Sequence, residues 1–234
     1  LTELLRRAGR ALDRLIFPRA ATCMGCGDKS GCAHDWLCDK CEEALAALWC
    51  GDAPLPCAAP LARLAAAYVY RDPAAALVRS LKYGSVGLLA ELMAQDMARA
   101  GAVLPLPSQT LIVPAPMHPR RERKRGYNQA ELLARAVARM LGRPHAQALS
   151  KLRNTRQQAR LDHAERARNL QGSIGVREDV RGRAVLLVDD VYTTGATMRV
   201  CAQALLDAGA TVVYGLTYAV AGTPPASRRK GGDP

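Results

Sequence analysis

The chain has 234 residues, of which 49% are hydrophobic and only 4% aromatic, with eight cysteines and a formal net charge of +12. That length fits one α/β domain with a small appendage, and no run approaches the ~18 consecutive apolar residues that a membrane span needs. So basic a balance points to a polyanionic partner or substrate (nucleic acid, phosphates or an anionic membrane surface), with arginine excess from GC-rich coding as the plain alternative.

In chain order, residues 1–22 open with LTELLRRAGRALDRLIFPRA, which alternates Leu with Arg at helical spacing. This predicts an amphipathic helix that docks on the protein or a partner; the segment lacks the continuous apolar centre and cleavage site of a targeting peptide. Residues 23–60 are rich in Cys, Gly and Pro and predict a zinc-ribbon-like domain, with a short helical stretch near Glu42–Leu48. From 61 to 221 the character changes. LAAAYVY (64–70) reads as a strand, AAALVRSLKYG (74–84) as a helix ending at Gly84, and GLLAELMAQDMARA (87–100) as another helix. LIVPAP (111–116) is a buried strand cut off by Pro114 and Pro116, and NQAELLARAVARMLG a helix stopped by Gly142.

Residues 150–182 are polar and dominated by Arg. VLLVDD (185–190) is a continuous β run of the kind buried on both faces of a parallel sheet; a helix (196–209) and the strand ATVVYGLTYAV (210–220) follow. Residues 222–234 predict a disordered tail. The alternation predicts an α/β fold with a doubly wound, mainly parallel sheet. Ligands in such sheets bind beyond the carboxyl ends of the strands, here the ends of 111–116 and 185–190.

Cys23-x2-Cys26-x11-Cys38-x2-Cys41 has the spacing of a four-thiolate structural zinc site, with disulfides as the alternative. Clustered CxxC pairs without a signal peptide favour metal ligation in a reducing cytoplasm. Cys32, His34, Cys50 and Cys57 lack such pairing, and Cys201, on an apolar helix, reads as a core residue.

The most informative stretch is VLLVDDVYTTGAT, residues 185–197. A buried strand ends in Asp189 and Asp190, followed by a turn rich in Thr and Gly and then a helix. A helix N-terminus presents open amides and partial positive charge, which suit a phosphate. Gly195 allows close backbone approach, and Thr193, Thr194 and Thr197 add hydroxyl donors. Two acids before a phosphate cradle make sense if a ribose lies between them, its 2′ and 3′ hydroxyls donating to carboxylates while its 5′-phosphate fills the turn. The plain alternative is an Asp cap in a tight strand-to-helix turn. The pattern GxxxxGK[ST] is absent, which excludes an ATP-binding P-loop of that form.

This stretch resembles the 5-phosphoribosyl-1-pyrophosphate (PRPP) motif of type I phosphoribosyltransferases. Adding LKYG (81–84), VPAP (113–116), RGYNQA (125–130) and Thr155, Gln158, Leu161, Arg166 and Asn169 in T-x2-Q-x2-L-x4-R-x2-N, the chain resembles the ComF family of competence proteins, which includes GntX-like proteins. Pro-Ala-Pro and Gly-Tyr-Asn-Gln stand where that family usually has Pro-Val-Pro and Gly-Phe-Asn-Gln. The resemblance implies a type I phosphoribosyltransferase fold with an N-terminal structural Zn²⁺ ribbon. Asp189 and Asp190 would contact the ribose, and Thr193, Thr194, Gly195, Ala196 and Thr197 the 5′-phosphate. Pro114, Ala115, Pro116, Met117, Arg120 and Arg125 would face the pyrophosphate, with Mg²⁺ arriving on the substrate. Residues 150–182, with Thr155, Gln158, Arg166 and Asn169, would form a hood over it.

In function, the resemblance implies transfer or sensing of phosphoribosyl groups in natural competence and DNA uptake. The alternative is a non-catalytic single-stranded DNA-binding factor on the same fold. Expected partners are PRPP, single-stranded DNA and proteins of the competence machinery, at a cytoplasmic location that extends to the inner face of the membrane. Relatives often carry two further CxxC pairs where Cys50 and Cys57 stand alone, so a second zinc is not expected. Asp162 and His163 fall in the hood, and neither is assigned a catalytic role.

Overall fold

The computed structural model describes residues 22–28, 36–83, 86–151 and 174–222. The helix expected over 1–22, Cys32, His34, the hood residues Thr155, Gln158, Leu161, Arg166 and Asn169, and nearly all of the tail lie outside them.

Four strands form one all-parallel sheet in the order β1-β6-β5-β2: β1 (Leu64–Val69), β2 (Leu111–Pro114), β5 (Ala184–Tyr192) and β6 (Val212–Val220). A short antiparallel pair, β3 (Leu149–Lys151) with β4 (Ile174–Val176), stands apart. The helices are α1 (Asp39–Ala47), α2 (Ala74–Tyr83), α3 (Val86–Gly101), α4 (Pro119–Arg125), α5 (Gln129–Leu141) and α6 (Ala196–Asp207).

Successive side chains of a strand point to opposite faces, and the buried set divides accordingly. Leu186, Val188, Leu216 and Tyr218 pack with Leu77, Leu89, Met93, Leu133 and Val137 from α2, α3 and α5. Val185, Leu187 and Val213 pack with Met198, Cys201 and Leu205 from α6 and Leu149 from β3. Both faces are covered, which is why β5 and β6 read as continuous apolar runs rather than alternating ones. Cys201 is fully buried there, a core residue.

Helix α5 ends as its sequence predicts, at Gly142 with φ +60. It begins on Asn128, whose side chain accepts the Ala130 N–H at 3.1 Å. Both edges of the sheet are occupied. Pro114, which donates no ladder bond, sits on edge strand β2, and residues 144–146 run along that strand: the Ile112 N–H donates to Pro144 O at 2.8 Å and the Ala146 N–H to Ile112 O at 3.1 Å. On the far side, residues 48–55 strap β1 through bridges Trp49↔Tyr68 and Leu55↔Leu64. This strap continues directly from α1 and joins the cysteine-rich segment to the sheet.

The chain leaves β2 toward α5 on one face and leaves β5 toward α6 on the other. Two neighbouring strands whose connections depart to opposite faces open a crevice at their carboxyl ends. The candidate site lies there.

Candidate functional site

Strands β2 and β5 run in register, with Pro114 opposite Val188. One residue further on, the ladder continues as the Ala115 N–H donates to Val188 O at 2.8 Å. Beyond that point the strands part around a cavity of about 180 Å³ lined by Ala115, Pro116, Met117, His118, Arg121, Asn128, Gln129, Lys151, Asp189, Asp190 and Thr197. The cavity joins the two stretches that the sequence singles out.

Strand alternation sends the two acids to opposite faces of the sheet, yet both border the cavity. Asp190 is buried on the α2 and α5 side, where Lys82 Nζ lies 2.9 Å from its Oδ2 and Gln129 Nε2 donates to the same oxygen at 3.2 Å. Asp189 is half-buried, and its Oδ1 accepts the Asp190 N–H at 2.9 Å. Burial, and then the charge of Asp190, push the Asp189 carboxyl well above the usual carboxylate range.

After Tyr192 the chain turns at Gly195, which has φ +72 and caps α6 without a side chain. The turn admits no larger residue, because a Cβ there would come within 2.3 Å of the Tyr192 hydroxyl. That hydroxyl is held in turn, accepting the Ala58 N–H at 3.2 Å. The first-turn amides of α6 therefore lack a side-chain cap; only Thr194 Oγ1 approaches one, 3.4 Å from the Ala196 nitrogen. Thr197 borders the cavity, while Thr193 and Thr194 are exposed outside its lining.

The basic run after Pro116 includes a helix that its sequence does not disclose. His118 caps α4, its Nδ1 accepting the Arg120 N–H at 3.1 Å. Reduced solvation and the nearby Arg120, Lys151, Arg121 and Arg123 lower the His118 pKa below its ordinary value. Consecutive helical residues diverge by about 100°. Arg121 accordingly lines the cavity while the exposed Arg120 lies outside its lining, and Pro114 is buried in its strand. Arg125 reaches the site indirectly, donating to Gln129 Oε1.

RGYNQ acts as a brace. The Tyr127 hydroxyl donates to Leu81 O at 2.8 Å, Asn128 Nδ2 donates to Ala115 O at 3.0 Å, and Gln129 reaches Asp190. Sequence reading missed Lys82, Gln129 and Lys151 as site residues. LKYG and RGYNQA carried two of them, but only as motifs.

A second constellation lies in the cysteine-rich segment, where the sulfurs of Cys23, Cys26, Cys38 and Cys41 are all within 4.8 Å of one another. All four are free thiols, and the Cys26 and Cys38 sulfurs are 3.8 Å apart. A tetrahedral ion with Zn–S bonds of about 2.3 Å holds its sulfurs about 3.8 Å apart, so the set fits zinc. The Gly25 and Cys38 amides point at Cys23 Sγ from 3.4 and 3.3 Å. Burial opposes ionisation of Cys23, but bonds from the Cys26, Cys38 and Gly25 amides outweigh it and bring the thiol down to about 6. At Gly25 a Cβ would meet the Cys41 sulfur at 2.8 Å. Cys50 and Cys57 face separate carbonyls, Ala66 O and Leu61 O, and join no cluster among the described residues. No helix among the described residues is long and apolar enough to cross a membrane.

Among known proteins, the phosphoribosyl transferase domain family matches residues 128–227. The chain is 33% identical over 213 residues to the DNA utilization protein YhgH of Salmonella typhi, covering 82% of this chain and 93% of that protein. It is 30% identical to competence protein F of Haemophilus influenzae, covering 60% of this chain and 65% of that protein. With competence protein ComFC of Bacillus subtilis it shares 29% identity over 61% of this chain and 57% of the other. Among solved structures it is similar to a glutamine PRPP amidotransferase from B. subtilis, 21% identical with a TM-score of 0.41 over 59% of this chain and 30% of that one, a likeness too loose to argue from.

Proposed function

The chain belongs to the ComF/YhgH family of competence and DNA-utilization proteins, which carry a phosphoribosyltransferase domain, and on that premise we propose that the strand-end cavity binds PRPP and serves phosphoribosyl transfer. The observation that supports this most directly is that two carboxylates, an uncapped helix N-terminus and a cation-bearing loop all border one cavity.

In this reading the ribose lies across Asp189 and Asp190, and its 5′-phosphate rests on the amides and hydroxyls of 193–197. The pyrophosphate faces the loop 114–117, with Arg120 and Arg125 from the sequence reading joined by Arg121 and Lys151. Bond cleavage at C1 leaves growing negative charge on pyrophosphate, and cations fixed at the cavity wall stabilise that charge more than the ground state. Mg²⁺ would supply further charge neutralisation on the substrate's oxygens, which suits a cavity bordered by hard carboxylate ligands. Zn²⁺ on Cys23, Cys26, Cys38 and Cys41 would order the N-terminal segment.

Thermal unfolding tests the pocket. PRPP with Mg²⁺ at 100 times its Kd contributes about 2.7 kcal/mol, or a Tm rise of about 5–10 °C for a chain of this size, and Asp190→Asn removes that rise. A wild-type Tm that PRPP does not move counts against catalysis and sensing alike.

A second reading, single-stranded DNA binding, is favoured by the net charge of +12 and the exposed Arg120, Arg121, Arg123 and Lys124 of α4. The paucity of stacking aromatics weighs against it. Oligonucleotide affinity in this reading falls steeply and log-linearly with salt; a flat response sinks it.

A further inference from the structure

We infer that Lys82 and Gln129 are positioning residues for Asp190, setting which of its two carboxylate oxygens meets a ligand. The inference rests on the phosphoribosyl reading and narrows it to one oxygen and the sugar hydroxyl that donates to it. Asp190 hangs from β5 on the face that α2 and α5 cover. Lys82 Nζ, at the end of α2, lies 2.9 Å from Oδ2, and Gln129 Nε2, from the first turn of α5, donates to the same atom at 3.2 Å. Two donors fill the lone pairs of one carboxylate oxygen. Oδ1 takes no nitrogen donor among the described residues; the Asp189 carboxyl lies within hydrogen-bonding reach of the Asp190 side chain, and in this inference Oδ1 is the oxygen offered to the cavity that Asp190 lines.

Gln129 is itself oriented. Its amide could face Asp190 with either end, but the Arg125 guanidinium donates to Oε1, which leaves Nε2 for the carboxylate. Reversing the amide would set its NH₂ against the guanidinium and its oxygen against the carboxylate. Lys82 adds the charge that the pair needs. A buried carboxylate beside a second acid is costly without a cation in contact, and Lys82 stands at that distance. These contacts join α2, α5 and β5, so the aim of one oxygen is set by three elements rather than by the strand alone.

The test compares ribose 5-phosphate with its 2-deoxy and 3-deoxy analogues by titration calorimetry on the full chain. A hydrogen bond to a charged group is worth roughly tenfold in affinity, so the wild-type chain should prefer ribose 5-phosphate by about that factor over the analogue lacking the Asp190-bound hydroxyl. Lys82→Met should shrink the preference to below about threefold while changing the affinity for inorganic phosphate by less than about twofold, and Lys82→Arg should restore most of it. A general disturbance would weaken all the sugar phosphates alike and keep the ratio, and that result overturns the inference. If Lys82→Met does not fold, Gln129→Leu carries the same comparison. A wild-type chain with no preference defeats the phosphoribosyl reading and this inference together; a preference that survives Lys82→Met defeats only the inference.

Discussion

The cysteine cluster and the strand-end cavity are built by opposite means. The first gathers four identical ligands from a span of 19 residues, Cys23 to Cys41, in a segment with few core residues of its own. The second rests on a sheet whose strands are buried on both faces, and its polar groups come from β3, β5, α4, α5, α6 and the loops that follow β2 and α4, with Lys82 of α2 behind them. On the zinc reading, order in one depends on an ion, whereas order in the other depends on apolar packing that exists before any ligand arrives. The difference is between a site that its ligand folds and a site that its scaffold strains.

Removing the metal should separate the two regions most sharply. Structural zinc contributes on the order of 10 kcal/mol to small sites. Cys41→Ser or chelation should therefore abolish hydrogen-exchange protection over 36–47 while the amides of β5 and β6 stay protected; simultaneous loss in both regions would show that they fold as one unit. Next in size is Gly195→Ala. Its positive φ and the rigid Tyr192 ring together predict a cost of about 3 kcal/mol, read as a Tm about 6–12 °C lower, with the zinc content unchanged. The smallest effect has the opposite sign. Because the Asp189 pKa is raised in the folded protein, the native state holds a proton that the unfolded chain has lost. Wild-type stability should accordingly fall as pH rises from the unfolded value of about 4 toward the raised folded value, then level off. Asp189→Asn escapes that fall and should be more stable by about 1 kcal/mol at neutral pH, or about 2–4 °C in Tm, while losing PRPP binding. Equal stability of the two at neutral pH would remove the claim that this carboxyl is strained.

What the sequence discloses follows the same division. The four-cysteine cluster is legible because its constraint is local: two CxxC turns carry it. The core strands and α5 are legible too, since VLLVDD and an amphipathic helix ending at Gly142 each satisfy one periodicity. The contiguous acids and the Thr-Gly turn are legible for the same reason. Lys82 and Gln129 are not, because their roles exist only once α2 and α5 have packed; the bond from Gln129 to Asp190 spans 61 positions. Arg121 is hidden differently: choosing it over Arg120 requires the phase of a seven-residue helix inside a run of like charges. The β3–β4 pair is hidden because each strand has only three residues, too few to show an alternation.

On the zinc reading, the strap along β1 gives the metal a reach beyond its own ligands. Residues 48–55 shield the outermost strand of the sheet, and they are tethered through α1 to Cys38 and Cys41. A chain stripped of its ion would loosen that shield and bare a row of unpaired peptide groups, the template on which neighbouring molecules polymerise. On that reading, thiolate chemistry at one end of the molecule would guard against self-association at the other.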